Sequence, residues 1–261
     1  MIANPEVRKV SFTGSTEVGR DLLRLCADTI VSTSMELGGN APVIVLPGVD
    51  LDQAVPAALI AKMRNGGSAC TAANRFYVHS SLHDEFVKRM AEALSAVRTG
   101  PGSDHDNTLG ALVSIAERDK VADLVATAVR EGARIVTGGE SLPGGAYYSA
   151  TLLDCVTHGD TITQQEIFGP VTAVISFDDV DDAVRMANDI ESGLVAYVFG
   201  PEHDALRIAL RLDSGMVAVN RGVLSDPAAP FGGSKQSGLG REGSSEGILE
   251  YLEEKYIAMD L

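Results

Sequence analysis

Short segments that fit a strand alternate with segments that fit a helix along nearly the whole chain, and this alternation limits the fold more than any other feature. Near the start, "VRKVSF" alternates apolar and polar residues and "TGST" interrupts it. "EVGRDLLRLCADTI" then spaces Val18, Leu22, Leu25 or Cys26, and Ile30 at helical intervals. "APVIVL" is a continuous apolar run, the pattern of a strand covered on both faces. "LDQAVPAALIAKMRN" predicts a helix stopped by Gly66 and Gly67, "RFYVHS" a strand, and "SLHDEFVKRMAEALSAV" an amphipathic helix. The pattern continues through helix "AERDKVADLVATAVREG", strands "ARIVTGG" and "VTAVISF", helix "DVDDAVRMANDI", strand "LVAYVFG", helix "DALRIALRL" and strand "GMVAVN". This order predicts an α/β fold with a mainly parallel sheet. The tail "ILEYLEEKYIAMDL" predicts a helix and then a short strand, which would pair with another chain.

Composition excludes several function classes. Of 261 residues, 45% are hydrophobic and 22% charged, an ordinary globular balance. The formal net charge of -15 argues against nucleic acid, whose phosphates need a basic face. An anionic substrate would need a local cation. The three cysteines, Cys26, Cys70 and Cys155, are odd in number and irregular in spacing, so a reducing, cytoplasmic setting without disulfides is expected. The histidines lack metal-site spacing, so no metal is expected. "MIANPEVRKV" has no signal-peptide apolar core, and no run approaches the roughly 18 apolar residues of a membrane span.

Three motifs could carry chemistry. "VSFTGSTEVGRDLL" reads as strand, glycine turn and helix start, a geometry that aims free N–H groups at an anion or is merely a tight turn. "MELGGN" places Glu36 before two glycines at a strand start; it is a solvated glutamate or, if burial raises its pKa, a base. "NGGSACTAANR" surrounds Cys70 with small residues. If "ACTAAN" opens a short helix, its N-terminus would lower the thiol pKa; the alternative is a buried structural cysteine. Cys26 and Cys155 fit the structural alternative better.

Together "SFTGSTEVG", "MELGGNAPVIV", "RNGGSACTAANR", "QEIFGPV" and "PFGGSKQSGLGRE" resemble the aldehyde dehydrogenase superfamily in order and spacing. "KMRNGGSAC" and "REGSSEGILEYLEEKYI" resemble its succinate-semialdehyde branch. The resemblance implies an aldehyde dehydrogenase catalytic domain, a three-layer αβα unit with a mainly parallel sheet, at 38–245. The last part of a Rossmann-type cofactor domain would precede it at 1–37, and a tail with an oligomerisation strand would follow at 246–261.

The same resemblance assigns roles. Cys70 is the nucleophile, its backbone N–H one oxyanion donor, and Glu36 the activator of the hydrolytic water. The cofactor, NAD or NADP, is held by Gly14, Ser15, Val18, Leu37, Glu166 and Phe168. Arg64 and Ser225 hold a substrate carboxylate, so a short succinate semialdehyde-like aldehyde is oxidised to its acid through a thiohemiacetal and a thioester. In the family roughly half the chain precedes "VRKVSFTGS", with most of the nucleotide domain. This chain therefore matches a C-terminal half, and weak or absent nucleotide binding is expected of it. Two alternatives follow: a cofactor-independent cysteine esterase, or an inactive fragment that needs a partner chain. A homo-oligomer formed through the C-terminal strand is also expected. Ser68, Gln165, Arg221 and Ala72 depart from the family's usual residues.

Overall fold

The computed structural model describes residues 1–260. Strand β1 (Lys9–Thr13), helix α1 (Thr16–Ala27) and strand β2 (Ser32–Glu36) come first. Then follow β3 (Ala41–Val45), α2 (Leu51–Met63), a 3-10 turn (Arg64–Gly67), β4 (Ala73–His79), α3 (Ser80–Ser95), α4 (Ile115–Glu131) and β5 (Arg134–Thr137). A small hairpin, β6 (Ser141–Leu142) and β7 (Tyr147–Tyr148), leads to β8 (Thr151–Asp154), α5 (Thr161–Gln164), β9 (Val171–Phe177) and α6 (Val180–Asn188). The last part comprises β10 (Ser192–Gly193), β11 (Val195–Phe199), α7 (Glu202–Ala209), β12 (Met216–Val219), β13 (Ser234–Lys235), β14 (Gly238–Leu239) and α8 (Glu246–Leu249).

Seven strands form the central sheet in the order β12-β11-β3-β4-β9-β8-β5. Every pairing is parallel except β5 with β8 at one edge. Successive side chains of a strand point to opposite faces, so each strand feeds two cores. Val43, Val45, Phe76 and Val78 pack under α2 and α3, while Ile44, Tyr77 and Ile175 pack under α4, α6 and α7. The result is the expected three-layer αβα arrangement. Polar caps set the helix starts: Ser15, Asp50, Ser114 and Asp179 each accept a hydrogen bond from a first-turn N–H. A second sheet, β1-β2-β14, stands beside the first, with β1 parallel and β14 antiparallel to β2.

Several expectations need correction. The tail helix shortens to α8, and residues 250–260 form no strand. Their apolar side chains have nothing to pair with in this chain: Tyr256 is 90% and Ile257 70% exposed. Helix α1 stops before Ile30, which turns into the left-handed region at φ 53° and lies exposed. No helix opens at "ACTAAN", because β4 already begins at Ala73, where it pairs with Ala41 of β3. Glu36 ends a strand rather than starting one. No described helix is long and apolar enough to cross a membrane.

A buried arginine ties the central strands to a helix end. Arg75 of β4 is wholly inaccessible. Its guanidinium donates to Asn40 O (3.0 Å), Met186 O (3.2 Å), Ala187 O (3.1 Å) and Tyr77 Oη (3.1 Å). Met186 and Ala187 belong to the last turn of α6, where a cation complements the helix dipole. Arg75→Met keeps bulk but leaves these acceptors unpaired, so urea denaturation should report a loss of about 3 kcal/mol or more.

Candidate active site

The site forms where β2 hands over to β3. Between these strands run Leu37, Gly38, Gly39 and Asn40. Backbone hydrogen bonds fix this link: Gly14 N donates to Glu36 O (3.0 Å) and Leu37 N to Ser237 O (2.8 Å). The Ser237 hydroxyl donates to Gly38 O (2.8 Å) and accepts from Gly193 N (2.9 Å). Gly39 is required by a close approach of backbone: a Cβ there would stand 2.5 Å from Cys70 O. A Cβ at Gly38 would meet the end of the Glu166 side chain, 2.7 Å from Oε2. The Glu36 strand end thus presses on the Cys70 segment across a missing side chain, with the Glu166 carboxylate beside it.

Glu36 is 5% exposed, and its Oε2 has no hydrogen-bond partner. Burial pushes its pKa up to about 7; Glu242 adds to the rise and Arg241 opposes it. A carboxyl group in this state is half-ionised near neutrality, the range in which a general base works best.

Cys70 is half-buried and free. It lies beyond the 3-10 turn, so the thiol lacks the helix N-terminus expected to lower its pKa. Burial instead pushes the thiol up, and the Glu166 and Glu36 carboxylates push in the same direction. The nearby backbone N–H groups of Cys70 and Thr71 pull against that rise. Tyr197 Oη donates to Thr71 O (2.8 Å) from inside the core and anchors the segment.

Glu166 accepts from Gly39 N (3.1 Å). Burial raises its pKa, opposed by the Gly39 amide and then Lys120. Phe168, two residues on, is left-handed (φ 51°), and its carbonyl accepts from Ser68 Oγ (3.2 Å). Glu166 helps line a cleft of about 680 Å³ with Thr16, Arg20, Gly38, Gly39 and Asn40. Gly14, Ser15, Val18, Leu37 and Phe168 do not line this cleft. Gly14 closes β1 beside Glu36, and Ser15 Oγ caps α1 by accepting from Val18 N (3.3 Å). Leu37 is buried against Gly19 of α1.

The pair expected to hold a carboxylate does come together. Arg64 Nη1 donates to Ser225 Oγ (3.2 Å) across 161 residues of sequence, and Arg64 is exposed. Arg221 is also exposed. Sequence reasoning passed over Asn40. Its Nδ2 donates to Thr163 O (2.9 Å), while its buried Oδ1 has no partner. One asparagine after two glycines carries no signal that it will be buried at a cleft wall. Among the described residues no group of three or more His, Cys, Asp or Glu could hold a metal ion.

The family profile described as "Aldehyde dehydrogenase family" matches residues 1–257. A succinate-semialdehyde dehydrogenase of Paenarthrobacter nicotinovorans is 48% identical over 99% of this chain and 58% of its own length. The NADP(+) succinate-semialdehyde dehydrogenase of Escherichia coli is 43% identical over 100% of this chain and 55% of its own. A crystal structure described as an E. coli NADP-dependent enzyme superposes with a TM-score of 0.97 at 44% identity, over 100% of this chain and 55% of that one. The chain thus spans somewhat more than half the length of these relatives. Over that span, it belongs to the aldehyde dehydrogenase family.

Proposed function

We propose that the chain carries the nucleophile and base of an enzyme that oxidises a short carboxylated aldehyde, such as succinate semialdehyde, to its acid. One observation carries the reading above the others. Glu36 presents an unpartnered, buried carboxylate oxygen at a strand end that packs, through Gly39, against the Cys70 segment. A buried carboxylate with a free oxygen and a pKa near 7 is suited to moving a proton.

The steps follow from these groups. The Cys70 thiol is held protonated by burial and by two carboxylates, so a base must take its proton as sulfur attacks the aldehyde carbon. Glu36 is the base in this reading. The backbone N–H groups of Cys70 and Thr71 act on the thiol, and the Cys70 N–H would serve the oxygen that gains charge. A bound NAD or NADP would supply the hydride acceptor needed to oxidise the thiohemiacetal to a thioester. Glu36, once it has released the thiol's proton to solvent, removes a proton from water as water attacks the thioester carbon, and the departing Cys70 thiolate takes that proton back as the acid forms. In this reading the cleft would take the nicotinamide–ribose half of such a cofactor, with Glu166, Gly38 and Gly39 among the residues of its wall. The names of two relatives include NADP(+), which supports a nicotinamide cofactor without fixing which one. Arg64 and Ser225 supply the local cation and hydroxyl that a carboxylated aldehyde needs in an acidic protein.

A second reading rests on the Cys70–Glu36 pair itself. Acyl transfer from an ester to water needs a thiol and a base but no hydride acceptor, so ester hydrolysis without nucleotide is open to this chain.

Four outcomes are expected. Reduced nucleotide should form when succinate semialdehyde and NADP(+) or NAD(+) are supplied to the purified chain. Absence of both this reaction and ester turnover would contradict the reading. Cys70→Ala should abolish turnover of p-nitrophenyl acetate while Cys155→Ser leaves it intact, and equal turnover in Cys70→Ala would exclude the thiol. Hydrolysis of the acyl-enzyme should rise as pH increases through about 7, because the base works only when ionised. Glu36→Gln should flatten that profile and slow the step by about 100-fold. Arg64→Ala should raise KM for the carboxylated aldehyde by about 10- to 100-fold, but not for an uncharged aldehyde of similar length.

A further inference from the structure

Lys62, in the last turn of α2, is wholly inaccessible, which is rare for a lysine. Its Nζ donates to Asn74 Oδ1 (2.9 Å), and Asn74 is itself buried near the start of β4. These two residues bracket the segment that carries Cys70. Between them Asn65, Gly66 and Gly67 are all left-handed, at φ 51°, 63° and 75°. Gly67 is wedged from two sides: a Cβ there would stand 2.2 Å from Gly169 O and 3.2 Å from Lys62 Cε. The lysine stem thus forms one jaw of a clamp on this turn, and the Glu166–Pro170 segment forms the other. None of the chemistry assigned above uses the amine, yet burying it with one hydrogen bond is costly.

We propose that Lys62 is a positioning residue: its bond to Asn74 closes the base of the Cys70 segment, and the charge on its amine sets how firmly Cys70 is presented. The proposal rests on Cys70 being the reactive thiol. Burial lowers the Lys62 pKa to about 7, with Glu166 pulling it back up, so the amine changes charge near neutral pH. A charge-assisted hydrogen bond is roughly twice as strong as a neutral one, so the clamp tightens below that pH and loosens above it.

The other charged groups on elements packed against α2 are engaged elsewhere or exposed. Arg64 bonds to Ser225. On β4, Arg75 and Tyr77 bond to each other and to Met186 O, and His79 faces Ser81. On α3, Arg89 pairs with Glu85 and with Asp52 of α2, His83 pairs with Asp154, and Asp84, Lys88 and Glu92 are exposed. Glu166 is the carboxylate that acts on Lys62.

The test is the pH profile of iodoacetamide alkylation, resolved by residue with mass spectrometry on the full chain. It needs neither aldehyde nor nucleotide, so its failure is distinct from failure of the proposed oxidation. Exposed Cys155 serves as the rate reference and buried Cys26 reports folding. The background is Glu36→Gln, because Glu36 also acts on Cys70 and titrates in the same range. In that background the Cys70-to-Cys155 rate ratio should show a step near pH 7. Lys62→Met should remove the step and lower the ratio below it by about threefold or more. Asn74→Asp, which gives the ammonium a carboxylate partner, should move the step upward by about one pH unit or more. The proposal is overturned if the background shows no step between about pH 6 and 8. A folded Lys62→Met variant that keeps the step, or an Asn74→Asp variant whose step stays in place, also overturns it. Should Lys62→Met leave Cys26 unprotected, the background profile and Asn74→Asp decide alone.

Discussion

The Cys70 carbonyl lies where a side chain at position 39 would begin, and most of the site depends on that contact. A Cβ at Gly39 would stand 2.5 Å from that carbonyl, so the strand end bearing Glu36 would have to part from the segment bearing Cys70. At Gly38 a Cβ would meet only the end of the Glu166 side chain, at 2.7 Å. The missing side chain at Gly39 lets the segments converge, and hydrogen bonds from the N–H groups of Gly14, Leu37 and Gly39 hold the convergence in register. The central sheet supplies the rigid frame: β3 and β4 run parallel from the two sides of the contact, starting at Ala41 and Ala73.

Convergence has an electrostatic consequence. Two carboxylates and a thiol share a poorly solvated region, and the carboxylates make it harder for the thiol to ionise. Burial raises Glu36, Cys70 and Glu166 alike, and each also feels a carboxylate: Glu242 acts on Glu36, Glu166 and Glu36 on Cys70, and Glu117 on Glu166. The sulfur therefore rests as a thiol, and in the proposed reaction it would become a nucleophile only when a base takes its proton. This differs from a thiolate preformed at a helix N-terminus. Burial places Glu36 near neutrality, where in that proposal one residue would serve both thiol and water.

The sheet was legible in the sequence because its strands are covered on both faces, so "APVIVL", "VTAVISF" and "LVAYVFG" appear as unbroken apolar runs. Motif resemblance brought Arg64 and Ser225 together before any local pattern could, since residues 161 apart leave no local trace of their meeting. Local patterns failed where long-range pairing decided. "ACTAAN" has helix-forming alanines, but β3 recruits Ala73 into the sheet. The tail has strand-forming residues but nothing in this chain to pair with. Lys62 and Arg75 were invisible as core residues, because a lysine or arginine in a sequence reads as surface unless its partners are known.

The central claim is that Glu36 is desolvated beside the Cys70 segment and titrates far above an ordinary glutamate. The most direct measurement is the carbon-13 NMR titration of the Glu36 side-chain carboxyl in the intact chain, assigned by the resonance lost in Glu36→Gln. A midpoint of about 7 is predicted, and a midpoint near the ordinary 4.5 would contradict the account.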